Sequence, residues 1–110
     1  MKLIIAIVQD EDSGRLISEL MEKGLGVTKL ATTGGFLRAG NTTLLIGAED
    51  ERVQEAIGAI ESVCKSRKQI TTAHPSSAGV AGGAFTTFPM EVTVGGATLF
   101  VLSVDKFLKV

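Results

Sequence analysis

The fold of this chain is decided near its beginning, by the stretch Leu3-Ile4-Ile5-Ala6-Ile7-Val8. A short, continuous apolar run rich in β-branched residues is typical of a central strand that is buried on both faces. The polar residues 9–13 follow it and place acids where a helix dipole favours them. Large apolar residues then recur at helical spacing: Leu16, Ile17, Leu20 and Met21. Gly24 stands where a left-handed C-terminal cap belongs, so the chain opens as a strand and an amphipathic helix.

The same patterns predict two further strands and a second helix. The strands are expected over residues 25–32 and 43–48, and the helix begins at the acidic residues 49–51. Its apolar stripe consists of Val53, Ala56, Ile57, Ile60, Val63 and Cys64. Three cations near the C-terminal end of this helix predict a solvated helix end: Lys65, Arg67 and Lys68.

The last third of the chain changes in composition. Residues 69–89 are rich in Ser, Thr, Ala, Gly and Pro, which predicts a long, mobile second loop. Residues 90–94 then alternate at period two, as expected for a strand. Gly95-Gly96 is a signal for a tight hairpin, with residues 97–104 as the partner strand.

The order of these elements predicts one α+β domain over residues 1–110. Strand, helix, strand, strand, helix and strand form the ferredoxin-like βαββαβ arrangement, here with an extra hairpin. Two helices would cover one face of the sheet. Because apolar residues occupy both parities of several strands, the other face is expected to be buried by another subunit.

A polar connection joins the second and third strands, with the sequence Ala-Thr-Thr-Gly-Gly-Phe-Leu-Arg-Ala-Gly-Asn-Thr over residues 31–42. Its glycines allow backbone N–H groups to approach an anion. Phe36 is suited to covering a flat ring, Arg38 adds charge, and Asn41 offers a donor and an acceptor to a base edge. A tight turn at Gly34-Gly35 is the structural alternative. The glycine spacing matches neither the Walker phosphate loop nor the dinucleotide fingerprint.

Composition excludes several classes of protein. A net charge of −1 over 110 residues argues against a general binder of nucleic acid or membrane surfaces. One Cys and one His predict no metal cluster, and no nucleophile–base pair indicates an enzyme. No apolar run approaches the length of a membrane span, and the first residues lack a signal-peptide pattern. A cytoplasmic protein is therefore expected.

The connection over residues 31–43, the opening MKLIIAIVQDED and the VGGAT segment together resemble one family. It is that of the PII-like cyclic di-AMP receptors, known as PstA or DarA. The resemblance covers nearly the whole chain and is weakest over residues 69–89. It implies a homotrimer with one cyclic di-AMP at each subunit interface, a short first loop and a long second loop. It further implies a signalling role without catalysis, and no cofactor besides the ligand.

The resemblance also implies roles for residues of the connection. Gly35, Phe36 and Leu37 match the loop whose backbone amides meet a phosphate and whose aromatic ring covers adenine. Asn41 matches the residue that reads an adenine edge. Arg38 remains the charged neighbour that the composition singled out.

Three residues of the sheet match in the same way. Thr28 matches the strand threonine near the nucleotide, Gly47 the glycine facing the other base, and Phe100 an aromatic residue of the final strand. Two positions depart from the pattern. Gly26 stands where family members carry an arginine, and Lys109 stands where a glutamine can contribute. The loss of a charge-assisted contact predicts an affinity lower by about 1.5–3 kcal/mol.

Two functional hypotheses follow. In the first, cyclic di-AMP held by the 33–41 loop orders the 69–89 loop, which then signals to an unidentified downstream protein. In the second, the chain is a PII-type sensor of another adenine nucleotide such as ATP, with phosphates bound by Lys65, Arg67 and Lys68. An enzyme is disfavoured, because the acids of residues 10–12 are explained by a helix start.

Overall fold

The computed structural model describes residues 1–30, 40–73 and 88–110. Their elements are β1 (Lys2–Gln9), α1 (Asp10–Glu22), β2 (Gly26–Lys29), β3 (Asn41–Ala48), a 3₁₀ turn (Asp50–Arg52), α2 (Val53–Cys64), β4 (Arg67–Ala73), β5 (Phe88–Val94) and β6 (Ala97–Ser103). The order matches the predicted βαββαβ arrangement, with one additional pair of strands after α2.

Four strands form the main sheet in the order β2-β3-β1-β6, and every neighbouring pair is antiparallel. The first apolar run of the sequence therefore lies in the middle of the sheet, as predicted. Ile4, for example, stands opposite Ile46 of β3 on one side and Val101 of β6 on the other. An antiparallel sheet of this order with two helices is a ferredoxin-like α+β fold.

Both helices lie against one face of the main sheet. Leu16 and Leu20 of α1 are fully buried, and Ala56 and Ile60 of α2 complete the same core. The first helix ends at Glu22, and Gly24 follows with a φ of 74°, which confirms the predicted left-handed cap. Burial of apolar side chains between these two layers is the main source of stability.

The predicted hairpin between β5 and β6 is wrong. β5 pairs with β4 in a separate two-stranded sheet, whereas β6 pairs with the central strand β1. Gly95 and Gly96 have positive φ values of 86° and 91°, but they link β5 in one sheet to β6 in the other and close no hairpin turn. Glycines are a local signal, so they indicate a bend without specifying which strands pair across it.

Three other boundaries need correction. The helix α2 ends at Cys64, so Arg67 and Lys68 belong to β4 rather than to a solvated helix end. The second strand is shorter than expected and covers only Gly26–Lys29. The predicted 69–89 loop contains strand residues at both of its ends. Its middle, residues 74–87, lies outside the described residues, and so does the prediction that it is mobile.

Candidate functional site

Within the described residues, the two helices cover one face of the main sheet and no helix covers the other. Along β1, Ile4, Ala6 and Val8 are buried beneath the helices, whereas Leu3, Ile5 and Ile7 on the opposite face are only partly buried. We call the second surface the helix-free face. It is apolar along its centre, since Leu45 and Phe100 flank Ile5 there.

The register of the strands places the four described candidates on the helix-free face. Thr28 stands opposite Leu45, which stands opposite Ile5, and Ile5 stands opposite Phe100. Gly47 lies in the adjacent row, and Asn41 is opposite Gln9 at the end of the sheet. Residues that share this alternation point to the same side of a sheet. The fold thus brings Thr28, Asn41, Gly47 and Phe100 to one surface.

A cavity of about 670 Å³ opens at one end of this face. Its lining includes Thr28, Gly26, Gly47 and Lys109, together with the aromatic Phe107. Gly26 and Gly47 stand opposite each other, so two neighbouring strands present bare backbone there. The volume lies within the range of about 300–1,000 Å³ that small-molecule sites occupy.

The other candidates lie away from this cavity. Asn41 lines a smaller cavity of about 280 Å³, with Gln9, Gly95 and Thr98. Gly47 lies six positions after Asn41 in β3, which corresponds to about 20 Å along a strand. Phe100 lines neither cavity and is 52% exposed. The described candidates therefore share a face but lie apart on it, with Thr28 and Gly47 at one cavity, Asn41 at the other, and Phe100 at neither.

Backbone hydrogen bonds hold both described ends of the connection between β2 and β3, one to β3 and one to the first residue of α1. The Leu30 N–H donates to the Thr43 carbonyl at 3.0 Å, and the Asp10 N–H donates to the Gly40 carbonyl at 2.8 Å. The Thr42 hydroxyl donates to the Asp10 carboxylate. Gly35, Phe36, Leu37 and Arg38 themselves lie outside the described residues, so their predicted roles remain predictions.

One ion pair near this end was missed by the sequence reasoning. The Arg67 guanidinium donates to both carboxylate oxygens of Asp12, with Nη2–Oδ1 at 2.9 Å and Nη1–Oδ2 at 3.4 Å. Asp12 is only 2% exposed, and its carboxylate raises the pKa of Arg67. The spacing along α1 could have indicated that Asp12 is buried, because it precedes the buried Leu16 and Leu20 by four and eight residues on the same helical face.

The Cys64 side chain is buried, as its position in the apolar stripe predicted. Burial, with a smaller contribution from the Asp12 carboxylate, raises the pKa of its thiol to about 11. A thiol with such a pKa is almost entirely protonated at neutral pH and is therefore a poor nucleophile.

Sequence comparison assigns this arrangement to a family. The family model described as cyclic-di-AMP receptor matches residues 1–110. The chain belongs to the cyclic-di-AMP receptor family. Its function is therefore cyclic di-AMP binding in signal transduction, which confirms the resemblance drawn from the sequence.

A solved structure resembles this receptor over almost its whole length. It is the crystal structure of a functionally unknown protein from Pediococcus pentosaceus ATCC 25745, with 41% sequence identity and a TM-score of 0.78. The match covers 99% of the receptor chain and 96% of the other chain. It supports the ferredoxin-like fold and adds no statement about function.

Two further observations concern the described part of the receptor. No group of three or more His, Cys, Asp or Glu side chains within residues 1–30, 40–73 and 88–110 is arranged to hold a metal ion. Neither described helix has the length and apolar character needed to cross a membrane.

Proposed function

We propose that the receptor binds cyclic di-AMP on its helix-free face, in a site that a second copy of the chain completes. The observation that carries this proposal is the register of the main sheet, which brings Thr28, Asn41, Gly47 and Phe100 to one surface without a helical cover. The receptor works by binding alone, without turning the ligand over. Gly35, Phe36 and Leu37 extend the site through their match to the family pattern, and Arg38 adds the charge that the composition of the connection indicates.

The chemistry of the described residues fits a cyclic dinucleotide. The Thr28 hydroxyl can donate to a phosphate oxygen, and Asn41 can donate to and accept from an adenine edge. Gly47 presents no side chain on the helix-free face, so a flat base can lie directly against the strand there. Phe100 is an exposed ring on the same face, available for stacking on a base.

We propose that Lys109 supplies the positive charge that family members carry on an arginine at the position of Gly26. Both residues line the same cavity, together with Thr28. Lys2 also lines it, but its ammonium group donates to the Ser103 hydroxyl at 2.8 Å. A charge-assisted hydrogen bond from Lys109 to a phosphate would contribute about 1.5–3 kcal/mol, similar to the contact that the glycine removes.

We further propose that the receptor is a homotrimer. Phe100 and Leu102 of the helix-free face are 52% and 46% exposed, and Phe107 and Leu108 of the C-terminal segment are 62% and 68% exposed. Several large exposed apolar side chains in one region of a protein are typical of an interaction surface. Another copy of the chain would cover it and supply the second wall of the ligand site.

Signalling would pass through the second loop to an unidentified downstream protein. The strands β4 and β5 carry this loop at their tips, as the block of residues 74–87 joins them. ATP is the weaker ligand candidate, because Arg67 is engaged with Asp12 and Lys68 pairs with Glu91 at 3.2 Å. Two of the three cations suggested for ATP phosphates already have partners.

Calorimetric titration tests the proposed ligand. Cyclic di-AMP should bind with about one ligand per chain, and ATP and cyclic di-GMP should bind at least about tenfold more weakly, a difference of about 1.4 kcal/mol. Equal affinity for ATP would favour the alternative nucleotide sensor. An absence of cyclic di-AMP binding would contradict the proposal.

A further inference from the structure

We propose that Asp12 and Arg67 are positioning residues that couple the ligand end of β3 to the arm formed by β4 and β5. This inference rests on the proposed function, because it takes the start of β3, with Asn41, as part of the ligand site. The contact between Asp12 and Arg67 would transmit the effect of the ligand to the arm, and neither residue is among those that the family pattern marks.

The arm has few attachments to the main sheet. Within the described part of the chain, β4 and β5 pair only with each other. A two-stranded sheet is marginally stable by itself, so its orientation depends on contacts at its base. Two such contacts reach residues at the start of α1 and the end of β1. Arg67 bonds Asp12 through both carboxylate oxygens, and the Gly95 N–H donates to the Gln9 side-chain oxygen at 2.7 Å.

The same short segment also holds the start of β3. Gln9 stands opposite Asn41, and the Asp10 N–H donates to the Gly40 carbonyl at 2.8 Å. The Thr42 hydroxyl donates to the Asp10 carboxylate. Asp10 and Asp12 belong to one helical turn, so a displacement of β3 at Thr42 moves the carboxylate that holds Arg67.

The chemistry of the ion pair makes this route specific. Asp12 is 2% exposed and its carboxylate accepts two bonds from a planar guanidinium, which fixes the distance and the angle between the two groups. Gly95 lies against the same guanidinium, since a Cβ there would be 2.7 Å from Nη1 of Arg67. The base of β4 and the end of β5 are thereby fixed to one side chain.

Lys68 provides a matched control for Arg67. It is the next residue of β4, and its ammonium group pairs with Glu91 within the arm at 3.2 Å. Lys68→Gln therefore removes one cation and one ion pair from the arm without touching its link to α1. Arg67→Gln removes the link itself, and Asp12→Asn weakens it from the other side while keeping the shape of the side chain.

The experiment measures hydrogen exchange of the arm amides, residues 67–73 and 88–94, with and without saturating cyclic di-AMP. In the wild type and in Lys68→Gln, the ligand should change arm exchange by about fivefold or more. In Arg67→Gln and Asp12→Asn, the ligand should still bind by calorimetry, but the arm response should be lost. A purely structural role would accelerate exchange of β1 and β3 amides as well and leave the arm response in place.

A variant at the far end of the route tests the coupling without ligand. Thr42→Val removes the hydroxyl that bonds Asp10 and keeps the size of the side chain. It should accelerate arm exchange by about threefold or more while β1 exchange stays unchanged, although Thr42 lies in β3, which pairs with neither arm strand in the described structure. Unchanged arm exchange in Thr42→Val, or an intact ligand response in Arg67→Gln, would overturn the coupling. Failure of the wild type to bind cyclic di-AMP would instead refute the proposed function, with the Thr42→Val result still deciding the coupling.

Discussion

The two faces of the main sheet are built from nearly the same residues and have different environments. Ile4 and Ile5 are chain neighbours of identical chemistry, yet Ile4 is fully buried under the helices and Ile5 is only partly buried. Leu44 and Leu45 on β3 repeat the contrast. The difference teaches that apolar residues on both parities of a strand predict a cover on each face, of which the described part of the chain supplies only the first.

The largest expected effect comes from the covered face. Ile4→Ala should lower the free energy of unfolding by about 2–5 kcal/mol, because it leaves a cavity in the core. Ile5→Ala removes the same atoms one residue further along and should cost less in dilute protein. Urea unfolding at low and high protein concentration measures both. An equal loss for the two variants at low concentration would contradict the contrast between the faces.

A charge on the helix-free face should have the next largest effect. Phe100→Glu places a carboxylate in the surface that we expect another copy to cover, where an unpaired charge is strongly unfavourable. Sedimentation should show the variant as a monomer under conditions in which the wild type is a trimer. Met21→Glu is the control, since Met21 is 64% exposed on the first helix. A trimeric Phe100→Glu would show that association does not use this face.

Gly47→Val tests the bare backbone of the ligand site. A Cβ at this position would meet only the flexible end of Met1, so we expect the fold to be retained, while cyclic di-AMP affinity falls by about tenfold or more, or about 1.4 kcal/mol. Gly58→Ala on α2 is the control, because nothing lies within 4 Å of its Cβ. Calorimetry gives the affinities, and full affinity in Gly47→Val would remove Gly47 from the site.

The smallest expected effect is that of the C-terminal cation. Lys109→Met should weaken cyclic di-AMP binding by about three- to tenfold through the loss of one charge-assisted contact. Lys106→Met removes the same charge from the same segment at a position that does not line the 670 Å³ cavity. Titration of both variants at low and moderate salt separates a local contact from a general charge effect. If Lys109→Met and Lys106→Met weakened cyclic di-AMP binding equally, the loss would be a general charge effect and not the loss of a local contact.

The sequence was sufficient for elements with strong local patterns. The apolar run of β1, the spacing of Leu16 and Leu20 and the cap at Gly24 each act within a few residues, so they predicted the central strand and the first helix. The apolar face without a helix also followed, because apolar residues occupy both parities of several strands, whereas its burial by another subunit stays a prediction. The family resemblance supplied the ligand, which no local pattern identified.

What the sequence could not give was pairing over long distances. Gly95-Gly96 predicted a tight hairpin, but the two glycines link strands of different sheets, and the partner of β5 is β4, whose residues precede it by a long segment. Arg67 and Asp12 are separated by 55 residues. The local sequence around Arg67 predicts a solvated helix end, and that around Asp12 predicts a helix start. Only the folded chain brings the two side chains together. Gly26 and Lys109 are likewise far apart in the sequence, and only the folded chain brings them to the same cavity.

Methyl NMR during a cyclic di-AMP titration tests the central claim most directly. Ile and Leu methyl groups report on both faces of the sheet in a single sample. The account predicts that Leu3, Ile5 and Leu45 shift with saturation of the ligand, whereas Ile4, Leu44 and Ile46 under the helices change little. Shifts confined to the second group, or equal in both, would contradict a ligand site on the helix-free face.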